Sequence, residues 1–469
     1  MVEKLHEKQL GALLRVHRKK QGLSIENLAD ENISTATISN IERGVPGVGR
    51  DKIEYLLKKL GLSAEELSRI AEGHDKRFDE IRFRLFSIEM MLDMGDAKRA
   101  MHHLEQLRLE DERLLPEYHF VKGKGFYIRG NWKKAEFSLF KTIHHTKQSG
   151  REKTNYQAAA YTYLGLCSFK QNDLDQALAH SDAGLEAFIE EGERRHYKYL
   201  LLYNKAIYLG RKKYWAAALK IVEEAWKEID RIEQVFVRLG LYATRAECLY
   251  QIGDYEGALR YALEGLEKAR LNSHPYHAFN LWDTLGNVYL RKGDLDQALH
   301  CYNMGLNVKD RIDKQDTFSY TYTNLAKLHL QRREWDQAYE YARQAIEMAE
   351  RYDDAAQLVS SHSVMGDYWR LQDRNEEATA CYQRALELAR RHKLENQEYE
   401  TLFRLACCLE NVDQEKFLTC LKEMYIIKRE RSDPFEYSGR RTGLHDDSLE
   451  SWRSCSWGRM MVCQEGDMQ

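Results

Sequence analysis

Apolar residues recur along this chain at helical spacing, i to i+3 or i+4, and short polar clusters interrupt the runs. In the first 70 residues the runs cover 9–20, 24–30, 34–43, 50–60 and 64–71, each predicted as a short helix. Ser24, Ser34 and Ser63 stand where a hydroxyl can accept from a helix's first N–H groups, and Gly22, Gly44 and Gly61 follow the predicted helix ends. Five short helices in this order predict a compact helical domain over 1–72.

From about residue 75 to 429 the pattern repeats. The segments Gly130–Ala135, Asn172–Ala177, Gly253–Ala258, Gly293–Ala298 and Arg333–Ala338 align as a turn, a large residue, and a small residue three positions later. With Ala100, Ala218 and Ala378 they give eight anchors, at successive gaps of 35, 42, 41, 40, 40, 40 and 40 residues. A ninth, degenerate unit over 405–425 places Phe417 near the anchor. Twelve positions before the anchors stand Gly123, Gly165, Ala206, Ala246, Gly286, Ala326 and Gly366, small enough to let paired helices approach. This pattern resembles the tetratricopeptide repeat, a helix-turn-helix unit that buries its apolar face only by stacking. The resemblance implies an all-α chain whose second region is a right-handed solenoid of about nine hairpins. The family's period is about 34 residues, so ~40 here predicts helices longer by roughly a turn and a half. After residue 429 the periodicity ends, and 430–469 is expected to be a disordered tail.

Composition narrows the function classes. Only 4 prolines and 31% charged residues suit a helical chain. The 71 basic and 74 acidic residues leave a net charge of -3, so any nucleic-acid contact must be local. The opening MVEKLHEKQL lacks an apolar signal core and no stretch reaches membrane-span length, so a cytoplasmic protein without membrane contact is expected. The nine cysteines are scattered without metal or redox spacing, and most, within helical patterns, read as small buried residues of a reducing compartment. No phosphate-binding loop, nucleophile elbow or His/Glu metal motif is present, and enzymatic activity, a cofactor and a metal are not expected. The adjacent pairs His102–His103 and His144–His145 point about 100° apart on a helix and cannot easily share one ion.

In the N-terminal region, Leu10-Gly11, Leu14-Arg15, Arg18, Gly22-Leu23-Ser24, Leu28-Ala29, Ile33-Ser34, Ile38-Ser39, Ile41-Glu42-Arg43-Gly44 and Leu60-Gly61-Leu62 fall in a familiar order. Over residues 8–70 it resembles the Cro/repressor (Xre-type) helix-turn-helix DNA-binding domain. That implies a recognition helix over 34–43 and a buried, structural ion pair between Arg18 and Glu42. On a helix from Thr35, Ile38 and Ile41 share the buried face, while Thr35, Ala36, Thr37 and Asn40 are candidate base-contacting positions. Asn40 is the best direct reader, because a carboxamide pairs with adenine N6 and N7. Arg43, Lys19, Lys20, Arg15 and Arg50 are candidate phosphate contacts. The family often has Gln just after the second helix's N-cap, where this chain has Ile25, so one phosphate contact is missing. Residues 1–70 hold twelve basic and ten acidic residues, net +2, which is too little for tight binding by one copy. A homodimer or higher oligomer on a two-fold site is expected.

In solenoids of this kind the first helix of each unit lines a concave face. Positions eighteen, fifteen, eleven and seven before an anchor give Asn280, Asp283, Asn287 and Arg291 in one unit and Tyr320, Thr323, Lys327 and Gln331 in the next. Glu247 and Gln251 precede them, and Arg211, Ser363 and Asp367 occupy related places. Amide side chains in a row suit an extended peptide, whose backbone both donates and accepts. An Xre-type domain joined to such a solenoid resembles the RRNPP group of peptide-pheromone regulators of Gram-positive bacteria, most of all its neutral-protease-regulator (NprR) type. The resemblance implies binding of operator DNA, switched by a short signalling peptide. The alternatives are a protein-interaction module that inhibits a sporulation phosphorelay protein, and a scaffold with a vestigial helix-turn-helix.

Overall fold

The computed structural model describes residues 7–109, 111–312 and 317–432, all helical or in short connections. The expected tail beyond 432 lies outside the described residues. The chain divides into two compact units, Met1–His277 and Ala278–Gln469. Among the described residues, no helix is long and apolar enough to cross a membrane.

The first unit begins with α1 (Glu7–Lys20), α2 (Ile25–Leu28), α3 (Thr35–Glu42) and α4 (Arg50–Lys59) around Leu14, Leu28, Ile33, Ile38, Ile41 and Leu56. The serine caps form as the sequence predicts. Ser24, Ser34 and Ser63 accept from the backbone N–H three residues on, and Gly22, Gly44 and Gly61 adopt the positive φ that ends a helix. Gly11 is required for a different reason, since a Cβ there would collide with the backbone carbonyl of Ile41 where α1 crosses α3.

The fifth helix corrects the sequence reading. The pattern predicted a short helix over 64–71 and a new region from 75, but α5 runs unbroken over Ala64–Asp93. Its second half is fixed by burial of Ile81, Leu85, Ile88 and Leu92 and by Glu89, a buried carboxylate that accepts from Lys124 at 3.3 Å and Arg194 at 3.1 Å. A helix anchored this way extends backwards at little cost.

Helical hairpins follow: α5 with α6 (Ala97–Gln106), α7 (Leu115–Ile128) with α8 (Trp132–Ser149), α9 (Tyr156–Lys170) with α10 (Leu174–Glu186), α11 (His196–Arg211) with α12 (Trp215–Trp226), and α13 (Val235–Gln251) with α14 (Tyr255–Leu271). Next comes α15 (Pro275–Arg291), within which the first unit gives way to the second. It is followed by α16 (Leu295–Leu306), α17 (Phe318–Arg332), α18 (Trp335–Arg351), α19 (Ala355–Arg370), α20 (Asn375–Arg391), α21 (Glu395–Leu409) and α22 (Gln414–Ser432). The repeated turn now has a physical account. Gly130, Gly253 and Gly293 take positive φ, Asn131, Asp254 and Asp294 cap the next helix, and the anchor alanines are fully buried. The longer period is met in two ways. α14, α18 and α20 reach 17 residues, whereas α12 and α16 stop at 12 and are followed by 3-10 turns at Ile229–Arg231 and Lys309–Arg311. In the last hairpin Phe417 packs on the cluster of Leu402, Leu405 and Cys420.

Candidate functional site

Two surfaces carry candidate chemistry, one in each unit. In the first, Ser34 caps α3 by accepting from Thr37 N at 3.1 Å, and the Ser34 and Thr37 hydroxyls lie 2.9 Å apart. Ile38 and Ile41 are buried, Thr35, Ala36 and Arg43 are exposed, and Thr37 and Asn40 are half-buried. Arg43 Nη2 donates to Asn40 Oδ1 at 2.6 Å. An amide oxygen has two lone pairs, so this bond orients the carboxamide and leaves one lone pair for an adenine amine.

Beneath α3, Arg18 Nε and Nη2 donate to the Glu42 carboxylate at 2.6 and 3.0 Å, and Arg18 Nη1 donates to Leu23 O at 2.6 Å. The ion pair implied by the family resemblance is therefore formed and buried. The hydrogen bond to Glu42 raises the Arg18 pKa further above its ordinary value. Lys19 and Lys20 are exposed in the last turn of α1, and Arg50 is exposed and pairs with Glu54 at 3.5 Å.

The sequence reading missed a latch on the turn between α2 and α3. Asp30 accepts from the Tyr55 hydroxyl at 2.8 Å and pairs with Lys59, while Lys52 donates to Asn32 O at 2.9 Å. The Lys59 bond is the main cause that holds the Asp30 carboxyl far below the usual carboxylate range. These partners come from α4, too distant in sequence for spacing to reveal.

In the second unit, polar side chains of successive first helices join across the repeats. Asn287 is buried, and its Oδ1 accepts from Tyr302 OH and from Asn324 Nδ2, each at 2.8 Å. Asn324 Oδ1 in turn accepts from Lys327 Nζ at 3.2 Å. Asp283 and Thr323 lie between helices instead of on the open face: Thr321 donates to Asp283 at 2.7 Å, and the Thr323 and Ser361 hydroxyls are 3.0 Å apart. Asn280 is half-buried, and Arg291 and Gln331 are exposed at the helix ends. Asp367, eleven residues before its anchor like Asn287 and Lys327, accepts from Tyr382 OH at 2.7 Å and Arg404 Nε at 3.5 Å. Burial, with Arg404 next, pushes the Lys327 ammonium down to about 8.

In the first unit Arg211 is exposed at the end of α11, and Gln251 Nε2 donates to Glu247 Oε1 at 2.7 Å on α13. Of the histidine pairs, His102 and His103 are exposed, whereas His145 of the second pair packs on α7. His119 stacks on His145 at 5.3 Å, and burial pushes His119 down to about 4.

Comparison with known proteins agrees with this division. Residues 9–70 match the helix-turn-helix domain family, and 279–309 and 317–391 match tetratricopeptide repeat families. No curated protein matches the chain. Among solved structures, a Rap protein complexed with Competence and Sporulation Factor is similar at TM-score 0.58 and 17% identity, over 76% of this chain and 99% of that one. The apo form of RapI is similar at 0.56 and 14%, over 75% and 98%. The apo quorum sensor NprR from B. thuringiensis is similar at 0.52 and 16%, over 69% and 93%. At these identities the likeness is one of fold. A helix-turn-helix region followed by tetratricopeptide repeats folded as in Rap and NprR matches the layout of an RRNPP-type regulator.

Proposed function

We propose that this chain is a cytoplasmic regulator that binds operator DNA through α3 and is switched by a short peptide held on the first helices of its repeats. The domain roles follow: 1–72 binds DNA, and 75–429 binds the peptide and self-associates. The observation that carries the reading is the hydrogen-bonded amide pair Asn287–Asn324, ending on Lys327, in a chain that also presents Thr35, Ala36 and Asn40 on a capped helix. Fixed amides suit an extended backbone, because their orientation is set before the ligand arrives. Thr35, Ala36, Thr37 and Asn40 face the bases, with Lys19, Lys20, Arg43 and Arg50 toward phosphate. Asn280, Asn287, Lys327 and Gln331, with Arg291, supply the peptide face in the second unit. Arg211, Glu247 and Gln251 are candidate peptide contacts of the first unit taken by itself, and in the second unit Asp283 and Thr323 hold the helices behind the face.

The test is selection of duplex DNA from a random-sequence library by the full chain, followed by operator titration with and without any short peptides encoded just downstream of this gene. The expected result is a selected site whose affinity changes with one peptide. A second reading, a protein-interaction module acting on a phosphorelay protein, draws on a stripe along α5. There Phe83, Phe86 and Met90, with Met94 at the C-cap, are 67%, 55%, 47% and 79% exposed, spaced to share one helical face. Peptide binding without any selected DNA would favour that reading.

A further inference from the structure

The surroundings of Lys327 narrow the chemistry of the ligand. Lys327 sits mid-helix on α17, half-buried, and its ammonium donates to the neutral amide oxygen of Asn324. The orientation of that amide is fixed, since its Nδ2 is spent on Asn287 Oδ1, which Tyr302 OH also occupies. Asn324 therefore cannot turn away, and the ammonium is held at the end of the amide row.

Counted with Lys327 itself, the cluster holds three cations and two carboxylates. Arg404 on α21 and Arg291 on α15 act on Lys327 as like charges, and Asp367 on α19 and Glu400 on α21 act as opposite ones. Asp367 is already shared between Tyr382 OH and Arg404. Among the described residues no carboxylate lies within ion-pairing distance of Lys327. An ammonium taken from water with no carboxylate in contact is costly, and an amide oxygen offsets only part of that cost. A carboxylate delivered by a ligand would supply the missing partner and would also be drawn by the two arginines. Burial, with Arg404 next, already disfavours the charged ammonium of Lys327, which an anion in contact would restore.

We infer that the peptide face of the second unit selects ligands bearing a carboxylate, which Lys327 binds with Arg291 and Arg404 as further attracting charges. This rests on the peptide-binding reading and adds the chemical class of one subsite. The carboxylate is either an acidic side chain or the peptide's own C-terminus.

The probes are four heptapeptide pools randomised over uncharged residues, with either Asp or Asn fixed at the central position and either a free or an amidated C-terminus. Each pool is passed over the immobilised full chain, and the retained peptide is quantified. At least one carboxylate-bearing pool is expected to be retained about tenfold above the amidated Asn pool. Retention of the amidated Asp pool assigns the side chain, and retention of the free-terminus Asn pool assigns the C-terminus. Lys327→Gln should abolish the difference and Lys327→Arg should keep it, with helical content checked by circular dichroism. Equal retention of all four pools, or a preference that survives in Lys327→Gln, overturns the inference and leaves peptide binding standing. Retention of none overturns both.

Discussion

Asn40 and Arg43 are bonded to each other, so the carboxamide proposed to read a base is already oriented before any DNA arrives. Asn40→Ala is expected to weaken a selected operator by about 1–3 kcal/mol while leaving random duplex binding nearly unchanged. Fluorescence anisotropy on both duplexes checks this, and equal losses would mean that Asn40 reads no base. Glu42 acts one layer deeper. Glu42→Ala would leave the Arg18 guanidinium buried without its carboxylate, a change that typically costs about 3–5 kcal/mol. The early part of a thermal melt should move down, and Arg18→Met combined with Glu42→Leu should recover much of the loss. If the single variant melts unchanged, the pair does not hold α1 to α3.

At the scale of elements, the hairpins depend on close approach of their two helices. A Cβ on Gly286 would lie 2.5 Å from the ring of Tyr302, the residue whose hydroxyl holds Asn287. Gly286→Ala should destabilise the second unit by about 1–3 kcal/mol and weaken peptide binding in step, because the displaced tyrosine releases the amide row. Urea unfolding and peptide titration on the same variant test the coupling, and a loss of stability with unchanged peptide affinity would break it. Gly286 was legible from its position twelve residues before an anchor, as were the capping serines and the alanines, because each obeys a local rule. Asn324 was not. The register chosen along α17 took residue 323, whereas Tyr320, Asn324, Lys327 and Gln331 form the i, i+4, i+7, i+11 row, and Thr323 turns toward Ser361 of the neighbouring helix. Which of two adjacent buried polar residues joins the row depends on the next repeat, and helical period alone does not settle it. The run of α5 through 72–75 was hidden for a similar reason. One glycine, Gly73, costs a helix only about 1 kcal/mol, less than the packing that fixes the rest of α5.

For the whole molecule, the proposed switch is a coupling between one surface in each unit, and its thermodynamics can be tested without knowing how it is transmitted. A peptide shifts an equilibrium between assemblies only by its difference in affinity for them. Whatever factor the peptide imposes on operator affinity, the operator must impose on peptide affinity, because both are the same coupling free energy. Couplings of this kind are typically about 1–3 kcal/mol, roughly five- to 150-fold. Peptide titrations of the full chain with and without saturating operator duplex should therefore differ by the factor found in the reverse experiment. Light scattering on the same samples should show a change of mass if the switch works through the number of copies, since net +2 on residues 1–70 leaves one copy short of phosphate contacts. Equal peptide affinity with and without operator would mean that the two surfaces are independent. The helix-turn-helix would then bind DNA constitutively, and the peptide would act on a protein contact instead, for which the exposed stripe of α5 is the first surface to mutate.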